Sequence, residues 1–316
     1  MGTQAFAAGS VSMRLYPHND LPAPGIVAEL RAQARLAVEC GFDGIMTSEH
    51  HGGFSGYLPN PLQVAGWLLH DMPTGWAAPC PMLLPLRPVA WLAEEVAWLA
   101  ASFPGRVGVG VAPGALPLDF AVMEIPFDEA MPRFRTGLGR LVTLLRGEGL
   151  GDLAGDAALA ACAAEPVPVL STAMSPPAVR RAASMGAGLV YDGGTVVSRL
   201  AELSRIYRDA GGDAPVVLIR RVWLGAPPQE ALDRQHAVYR SYSPESAMQH
   251  WRDDGFLIRS DPAELAADVA AAFSGSGATT LNLRVHVDGV TPAQARGQIA
   301  ALGTDLLPLL REAIGG

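Results

Sequence analysis

The sequence contains no lysine, so its 23 basic side chains are all arginines, and they are outnumbered by 31 aspartates and glutamates. The resulting net charge is −8. Binding to phosphate backbones or anionic lipid surfaces depends on clustered positive charge. We therefore expect neither nucleic acid nor a membrane as a partner of this chain.

Cysteines and long apolar runs are also scarce. The three cysteines, Cys40, Cys80 and Cys162, are too far apart and too few for a disulfide framework or a metal cluster. No apolar stretch approaches the roughly 18 residues that cross a bilayer, and the first residues lack the basic start and apolar core of a signal peptide. These absences predict a cytoplasmic protein without a metal site.

About 49% of the residues are hydrophobic, and short apolar runs alternate with longer helical patterns along the chain. The pattern predicts strands at 11–16, 44–47, 76–84, 107–111, 167–171, 189–191, 216–223 and 280–285. Helices are predicted at 24–40, 61–70, 88–102, 128–146, 177–185, 196–210, 262–273 and 292–310. Eight strand–helix repeats predict one α/β domain over residues 1–316, a (β/α)8 TIM barrel with an insertion at 226–260 after strand seven. The alternative, a doubly wound open sheet, would carry a glycine fingerprint after its first strand, where none occurs.

In such barrels the active site lies at the carboxyl ends of the strands. The segment after strand two contains Glu49, His50 and His51. Histidine titrates near neutral pH, so one of the pair is a candidate general base or hydrogen-bond donor. Neighbouring residues at a strand end point to opposite sides, so we expect one histidine in the cavity and the other in packing. Glu-His-His lacks the i, i+4 spacing of a helical metal site.

Three other strand ends are candidates for ligand contacts. Prolines around residue 81 mark a distorted end of strand three, because proline cannot donate to the ladder. Glycine after strand four allows close approach of a ligand. Hydroxyls before helix five predict either an anion site or simple helix capping. The candidate cofactor-binding residues are Cys80, Pro81, Met82, Ala112, Pro113, Gly114, Ser171, Thr172, Met174 and Ser175.

Several short motifs occur in an order that resembles the bacterial luciferase-like monooxygenase family. They are Gly41-Phe42-Asp43, Glu49-His50-His51, Asn60-Pro61, Leu84-Pro85, Gly105-Arg106-Val107-Gly108-Val109-Gly110 and Pro262-Ala263-Glu264. The resemblance implies a (β/α)8 barrel, often dimeric, that binds reduced FMN or the deazaflavin coenzyme F420. It implies that His50 assists the flavin chemistry and that Glu49 orients the site or binds substrate. It also implies a cis peptide bond at the end of strand three, which the spacing to Leu84 assigns to Cys80–Pro81.

The resemblance leaves the cofactor open. Glu-His-His favours the FMN branch, whose members receive reduced flavin from a separate reductase and oxygenate small organic substrates. However, Pro113 and Ala130 stand where that branch has phosphate-binding arginines, which are the strongest bidentate phosphate contacts. Ala-Pro-Gly at the end of strand four resembles F420-dependent reductases, which transfer hydride without oxygen. A non-catalytic flavin-binding member is the third alternative.

The helices at 61–70 and 88–102 contain more large apolar side chains than one barrel-facing surface needs. They carry Trp67, Leu68, Leu69, Trp91, Leu92, Trp98 and Leu99. Because a contiguous exposed apolar patch is a liability, we expect these helices to form a homodimer interface.

Overall fold

The structure of the protein is a computed structural model that describes residues 4–54, 56–242, 256–286 and 288–315. Its strands are β1 (Val11–Arg14), β2 (Gly44–Thr47), β3 (Trp76–Pro79), β4 (Met82–Leu83), β5 (Val109–Ala112), β6 (Val169–Thr172), β7 (Gly188–Tyr191), β8 (Val216–Leu224), β9 (Phe256–Arg259) and β10 (Thr280–Arg284). Its α-helices are α1 (Ala23–Glu39), α2 (Pro61–Asp71), α3 (Val89–Ser102), α4 (Pro117–Ala121), α5 (Ala130–Leu144), α6 (Ala157–Ala161), α7 (Pro176–Ser184), α8 (Val197–Asp209), α9 (Gln229–Tyr242), α10 (Pro262–Ser276), α11 (Pro292–Ala301) and α12 (Leu307–Gly315).

The strands form a parallel barrel. Their order is β3-β2-β1-β10-β8-β7-β6-β5-β4, and β3 and β4 are two segments of one interrupted strand. A parallel bridge between Ala77 and Val107 closes the circle at the other end of this strand. The predicted (β/α)8 architecture is therefore confirmed. The cis bond expected between Cys80 and Pro81 is also present, at the interruption.

An aromatic plug fills the amino-terminal end of the barrel. The rings of Phe6 and Trp76 meet edge to face with centroids 4.9 Å apart, and both are fully buried. Glycine makes room for them, because a Cβ on Gly44 would lie 2.1 Å from the Trp76 ring and one on Gly108 would lie 2.4 Å from Phe6. This packing closes the interior of the barrel at its amino-terminal end.

The sequence-based boundaries need several corrections. The strand predicted at 76–84 is not continuous, because the chain breaks the ladder at Cys80 and Pro81. The short helices α4 and α6 lie in segments that the periodicity left as loops, since one or two turns are too short to show a period. Within the predicted insertion 226–260, the structure describes α9 and β9, and β9 pairs in parallel with β8 outside the closed circle. Residues 243–255 lie outside the described residues.

None of the helices in the described ranges has both the length and the apolar character needed to cross a bilayer.

Candidate functional site

A cavity of about 390 Å³ opens at the carboxyl ends of the barrel strands. Its volume lies within the range typical of small-molecule pockets. The wall is mainly apolar and aromatic, with a few polar groups that converge from different strands. The lining residues are Arg14, Tyr16, Ser48, Glu49, His50, Tyr57, Pro81, Leu83, Ala112, Pro113, Gly114, Ala115, Thr172, Met174, Val190, Tyr191, Asp192, Ile219, Arg221 and Arg284.

The segment after β2 continues as extended chain, which explains the opposite directions of its histidines. The Glu49 N–H donates to the carbonyl of Pro81 (3.0 Å), and the His50 N–H donates to the carbonyl of Leu58 (3.1 Å). Side chains alternate along such a segment. His50 consequently reaches the cavity wall, whereas His51 is buried and its Nε2 lies 3.0 Å from Oε1 of Glu49.

Asp119, on α4, holds His50 in place. Its Oδ2 lies 2.8 Å from Nδ1 of His50, and its Oδ1 accepts a hydrogen bond from the His51 N–H at 2.7 Å. Asp119 is fully buried. Because a carboxylate only accepts hydrogen bonds, Nδ1 must carry the proton, and Nε2 of a neutral His50 is then the proton acceptor. The geometry matches a base held in one tautomer by a third group.

Aromatic rings surround His50 on the cavity wall. Its ring centroid lies 4.9 Å from that of Phe54 and 4.5 Å from that of Tyr57. The Tyr57 ring in turn meets Tyr16 edge to face at 5.2 Å. These contacts restrict the imidazole and make this part of the wall a surface for a flat, apolar ligand.

Glu49 joins the end of β2 to the turn after β4. It accepts hydrogen bonds from the Leu83 N–H (2.5 Å) and from the Arg87 guanidinium, in addition to its contact with His51. Its side chain is fully buried. A carboxylate whose oxygens are already engaged by three donors acts first as a positioning group, so it fixes the wall on which His50 is mounted.

The structure brings most of the sequence-predicted residues to one place. Six of the ten candidate cofactor contacts line the cavity: Pro81, Ala112, Pro113, Gly114, Thr172 and Met174. Three are buried in or beside the barrel strands, namely Cys80, Met82 and Ser171, while Ser175 is exposed at the start of α7. Burial raises the pKa of the Cys80 thiol to about 12, against a smaller opposing effect of Arg14, so this thiol stays protonated at neutral pH.

Asp119 and the arginines of the cavity are not among the site residues predicted from the sequence. Asp119 is 69 residues from His50 and lies inside the apolar run Leu116-Pro117-Leu118-Asp119-Phe120. An isolated acid in such a run is a weak signal of a buried, partnered carboxylate. Arg14 and Arg284 stand at the carboxyl ends of β1 and β10, and Arg221 lies inside β8. The barrel topology draws attention to strand ends, but a single sequence does not show which residues lie beside them.

The side of the cavity near β5 and β6 offers few donors for a phosphate. Arg133 is paired at its surface position with Glu129 (2.6 Å), and Ala130 is buried. Helix α7 begins with Pro176 and Pro177, which lack the N–H groups that bind anions at helix starts. This region fits a weakly charged ligand segment better than a phosphate dianion.

A family model for the luciferase-like monooxygenases matches residues 11–303. The chain belongs to this family, as the motifs had indicated. An uncharacterized protein of Mycobacterium tuberculosis is 30% identical over 144 residues, which are 42% of this chain and 48% of that protein. The match therefore spans about half the length of this curated relative.

Solved structures share the fold over almost the whole chain. One is the oxygenating component of 3,6-diketocamphane monooxygenase from Pseudomonas putida, a type II Baeyer–Villiger monooxygenase in complex with FMN; it is 18% identical, with 95% of this chain and 98% of that chain covered and a TM-score of 0.73. Another is an F420-dependent secondary alcohol dehydrogenase in complex with an F420–acetone adduct, 16% identical, with 98% and 99% covered and a TM-score of 0.70.

Proposed function

We propose that the protein is an oxidoreductase that binds a flavin-type cofactor in this cavity and acts on a small organic substrate. The observation that carries the proposal is the His50–Asp119 pair, which is mounted on the wall of a largely apolar cavity at the catalytic end of the barrel. Family membership agrees with this chemistry. The first candidate is a monooxygenase that uses reduced FMN supplied by a separate flavin reductase.

The cavity suits the ring system of such a cofactor. Pro81 and Leu83 form one wall, Tyr16 and Tyr57 form another, and Gly114, at a φ of 82°, turns the chain where a side chain would collide with Phe120. A bound flavin or deazaflavin would supply the electrons or hydride for the reaction. The chain itself would supply binding surface, exclusion of water and a proton carrier.

His50 is proposed as that proton carrier. Asp119 orients the ring by accepting from Nδ1, so Nε2 can take up a proton from a ligand and return it. Glu49 is proposed as a positioning residue, since it ties the His50 segment to Leu83 and Arg87.

One observation favours coenzyme F420 as the second candidate. FMN ends in a phosphate monoester that carries close to two negative charges at neutral pH, whereas the phosphodiester of F420 carries one. The chain has Pro113 and Ala130 at the positions of the family's phosphate-binding arginines, and Arg133 is already paired with Glu129. At the phosphate group itself, the diester needs fewer positive charges than the monoester. In this alternative the reaction is hydride transfer without oxygen.

Binding titrations separate the candidates. The purified protein is titrated under anaerobic conditions with reduced FMN, oxidised FMN and F420, with fluorescence or absorbance as the readout. We expect micromolar or tighter binding of one of the two cofactors. If neither FMN nor F420 binds at millimolar concentration, and circular dichroism shows that the protein is folded, only the alternative of a non-catalytic family member is left.

We also propose a homodimer through α2 and α3. Trp91 and Trp98 on α3 are each 56% exposed, and Trp67 on α2 is 38% exposed. The leucines of these helices differ: Leu68, Leu69 and Leu92 are buried in the core. Replacing Trp91 with glutamate would place a charge in the proposed contact. We expect wild type to show twice the chain mass in light scattering at micromolar concentration, and Trp91→Glu to shift it to the monomer.

Leu309 on α12 provides the control for that experiment, because it is exposed on another helix. Leu309→Glu should leave the dimer intact. A wild-type monomer, or equal behaviour of both variants, would contradict the assignment.

A further inference from the structure

Three arginines form a row at one level of the barrel. Arg14 at the end of β1 is the register partner of Arg284 on β10, and Arg284 is the register partner of Arg221 on β8. Adjacent strands lie about 4.8 Å apart, and register partners of a parallel sheet point to the same side. All three residues line the cavity. We call Arg14, Arg284 and Arg221 the arginine row.

Arg14 has neutral partners. Its Nε donates to Oδ1 of Asn282 (2.9 Å) and its Nη1 donates to the hydroxyl of Ser48. Cys80, which also lies near it, is a thiol whose pKa burial raises to about 12, so it brings no negative charge. Nη2 of Arg14 has no hydrogen-bond partner among the residues that the structure describes.

A buried arginine with an N–H group that lacks a partner needs a hydrogen-bond acceptor. Arg14 is only 3% exposed, and its guanidinium remains charged at any physiological pH. A buried charge is unfavourable unless it is paired and its donors are satisfied. The two carboxylates of the cavity wall contact groups other than Arg14: Glu49 is paired with Arg87, and Asp192 accepts from the N–H groups of Gly194 and Thr195 at 2.8 Å.

The arginine row lies at one end of the aromatic wall that leads to His50. The guanidinium carbon of Arg284 stands 4.2 Å from the centre of the Tyr16 ring. Tyr16 contacts Tyr57, and Tyr57 contacts His50. A small molecule with one end at the row would extend along these rings toward the proton carrier. The side of the cavity at Pro113, after β5, and at Thr172, the last residue of β6, belongs to other strands.

We propose that the arginine row binds an anionic group, a carboxylate or a similar oxyanion, of the substrate. The substrate class is then a small organic acid with an apolar or aromatic body, held by its charge at Arg14 and by its body against Tyr16 and Tyr57. The reaction assigned to this substrate rests on the proposed function, whereas its binding does not. A charge-assisted contact from Nη2 of Arg14 would supply affinity and orientation.

A matched pair of probes tests the charge alone. The compounds 4-fluorobenzoate and 4-fluorobenzamide have nearly the same shape, and fluorine NMR measures weak binding of both to the cofactor-free protein. We expect wild type to bind the benzoate at least tenfold more tightly. Arg14→Met keeps an unbranched apolar stem but removes the charge, so it should weaken the benzoate about 10- to 100-fold and leave the benzamide within twofold. Arg284→Met removes another charge of the arginine row and should also weaken benzoate binding. It replaces Arg14→Met in the experiment if Arg14→Met does not fold.

A second titration tests whether the anion that binds the arginine row belongs to the substrate or to the cofactor. FMN and F420 are titrated against wild type and against the folded row variant, and we expect equal affinities within twofold. A tenfold loss for either cofactor would mean that the row binds the cofactor's own anion, and the substrate assignment would be overturned. Equal wild-type affinity for benzoate and benzamide would also overturn it. A charge preference in a protein that binds neither cofactor would refute the proposed function and leave the anion site standing.

Discussion

Replacing His50 with alanine is expected to lower turnover by about 10²- to 10⁴-fold while the protein stays folded and still binds its cofactor. The size is that of a lost general acid or base. Folding is expected to survive because the His50 side chain is 20% exposed and its main partner, Asp119, keeps its contact with the His51 N–H. The measurements are the single-turnover rate of the cofactor-loaded enzyme and the cofactor dissociation constant.

His70 provides a matched control, since it is an exposed histidine near the end of α2, away from the cavity. His70→Ala should leave the rate unchanged. Asp119→Asn should also lower turnover, because an amide can donate to Nδ1 and so leave the proton on Nε2, which is the wrong tautomer for a base. A His50→Ala enzyme with wild-type turnover would remove His50 from the mechanism.

Replacing Glu49 with alanine is expected to lower the free energy of unfolding by about 3 kcal/mol. The change removes a fully buried carboxylate and leaves Arg87, only 15% exposed at its side chain, without that partner. Breaking one side of a buried ion pair typically costs about 3–5 kcal/mol, and the slight exposure of Arg87 favours the lower value. Urea denaturation of the cofactor-free protein measures the change.

The control for this variant is Glu39→Ala. Glu39 pairs with Arg35 at 3.1 Å, but both side chains are about half exposed, so the loss should stay below about 1 kcal/mol. If Glu49→Ala and Glu39→Ala lower the free energy of unfolding by equally small amounts, Glu49 does not position the site. The stability measurement is independent of turnover, so it separates a positioning role from participation in the chemistry.

The fold could be predicted because each barrel strand is a short apolar run bounded by a helix pattern. The strand at Gly44–Thr47 agrees with its prediction to the residue, since Gly41 and the polar segment after Thr47 mark its ends. Side-chain alternation along an extended segment predicted that one histidine of the pair faces the cavity, and the family resemblance indicated that it is His50. Patterns of this kind involve residues that are close in the sequence, so they can be recognised without knowledge of the tertiary contacts.

The rest of the site depends on contacts between residues that are far apart in the sequence, and local sequence patterns do not show such contacts. Asp119 reaches His50 only because α4 returns to the mouth of the barrel, and the periodicity did not show α4. The arginine row depends on register between strands that are more than 200 residues apart in part of the sheet, such as Arg14 and Arg284. Cys80 and Met82 were assigned to the cofactor as one segment with Pro81, but the interruption of the strand leaves Pro81 in the wall and buries the other two.

The most direct test of the account is a crystal structure of the protein grown with a saturating concentration of FMN or F420. We expect ring density in the cavity, in contact with Pro81 and within hydrogen-bond reach, directly or through one water, of Nε2 of His50. Cofactor density at any other place on the protein, or ring density in the cavity with His50 turned away from Asp119 and from the ligand, would contradict it.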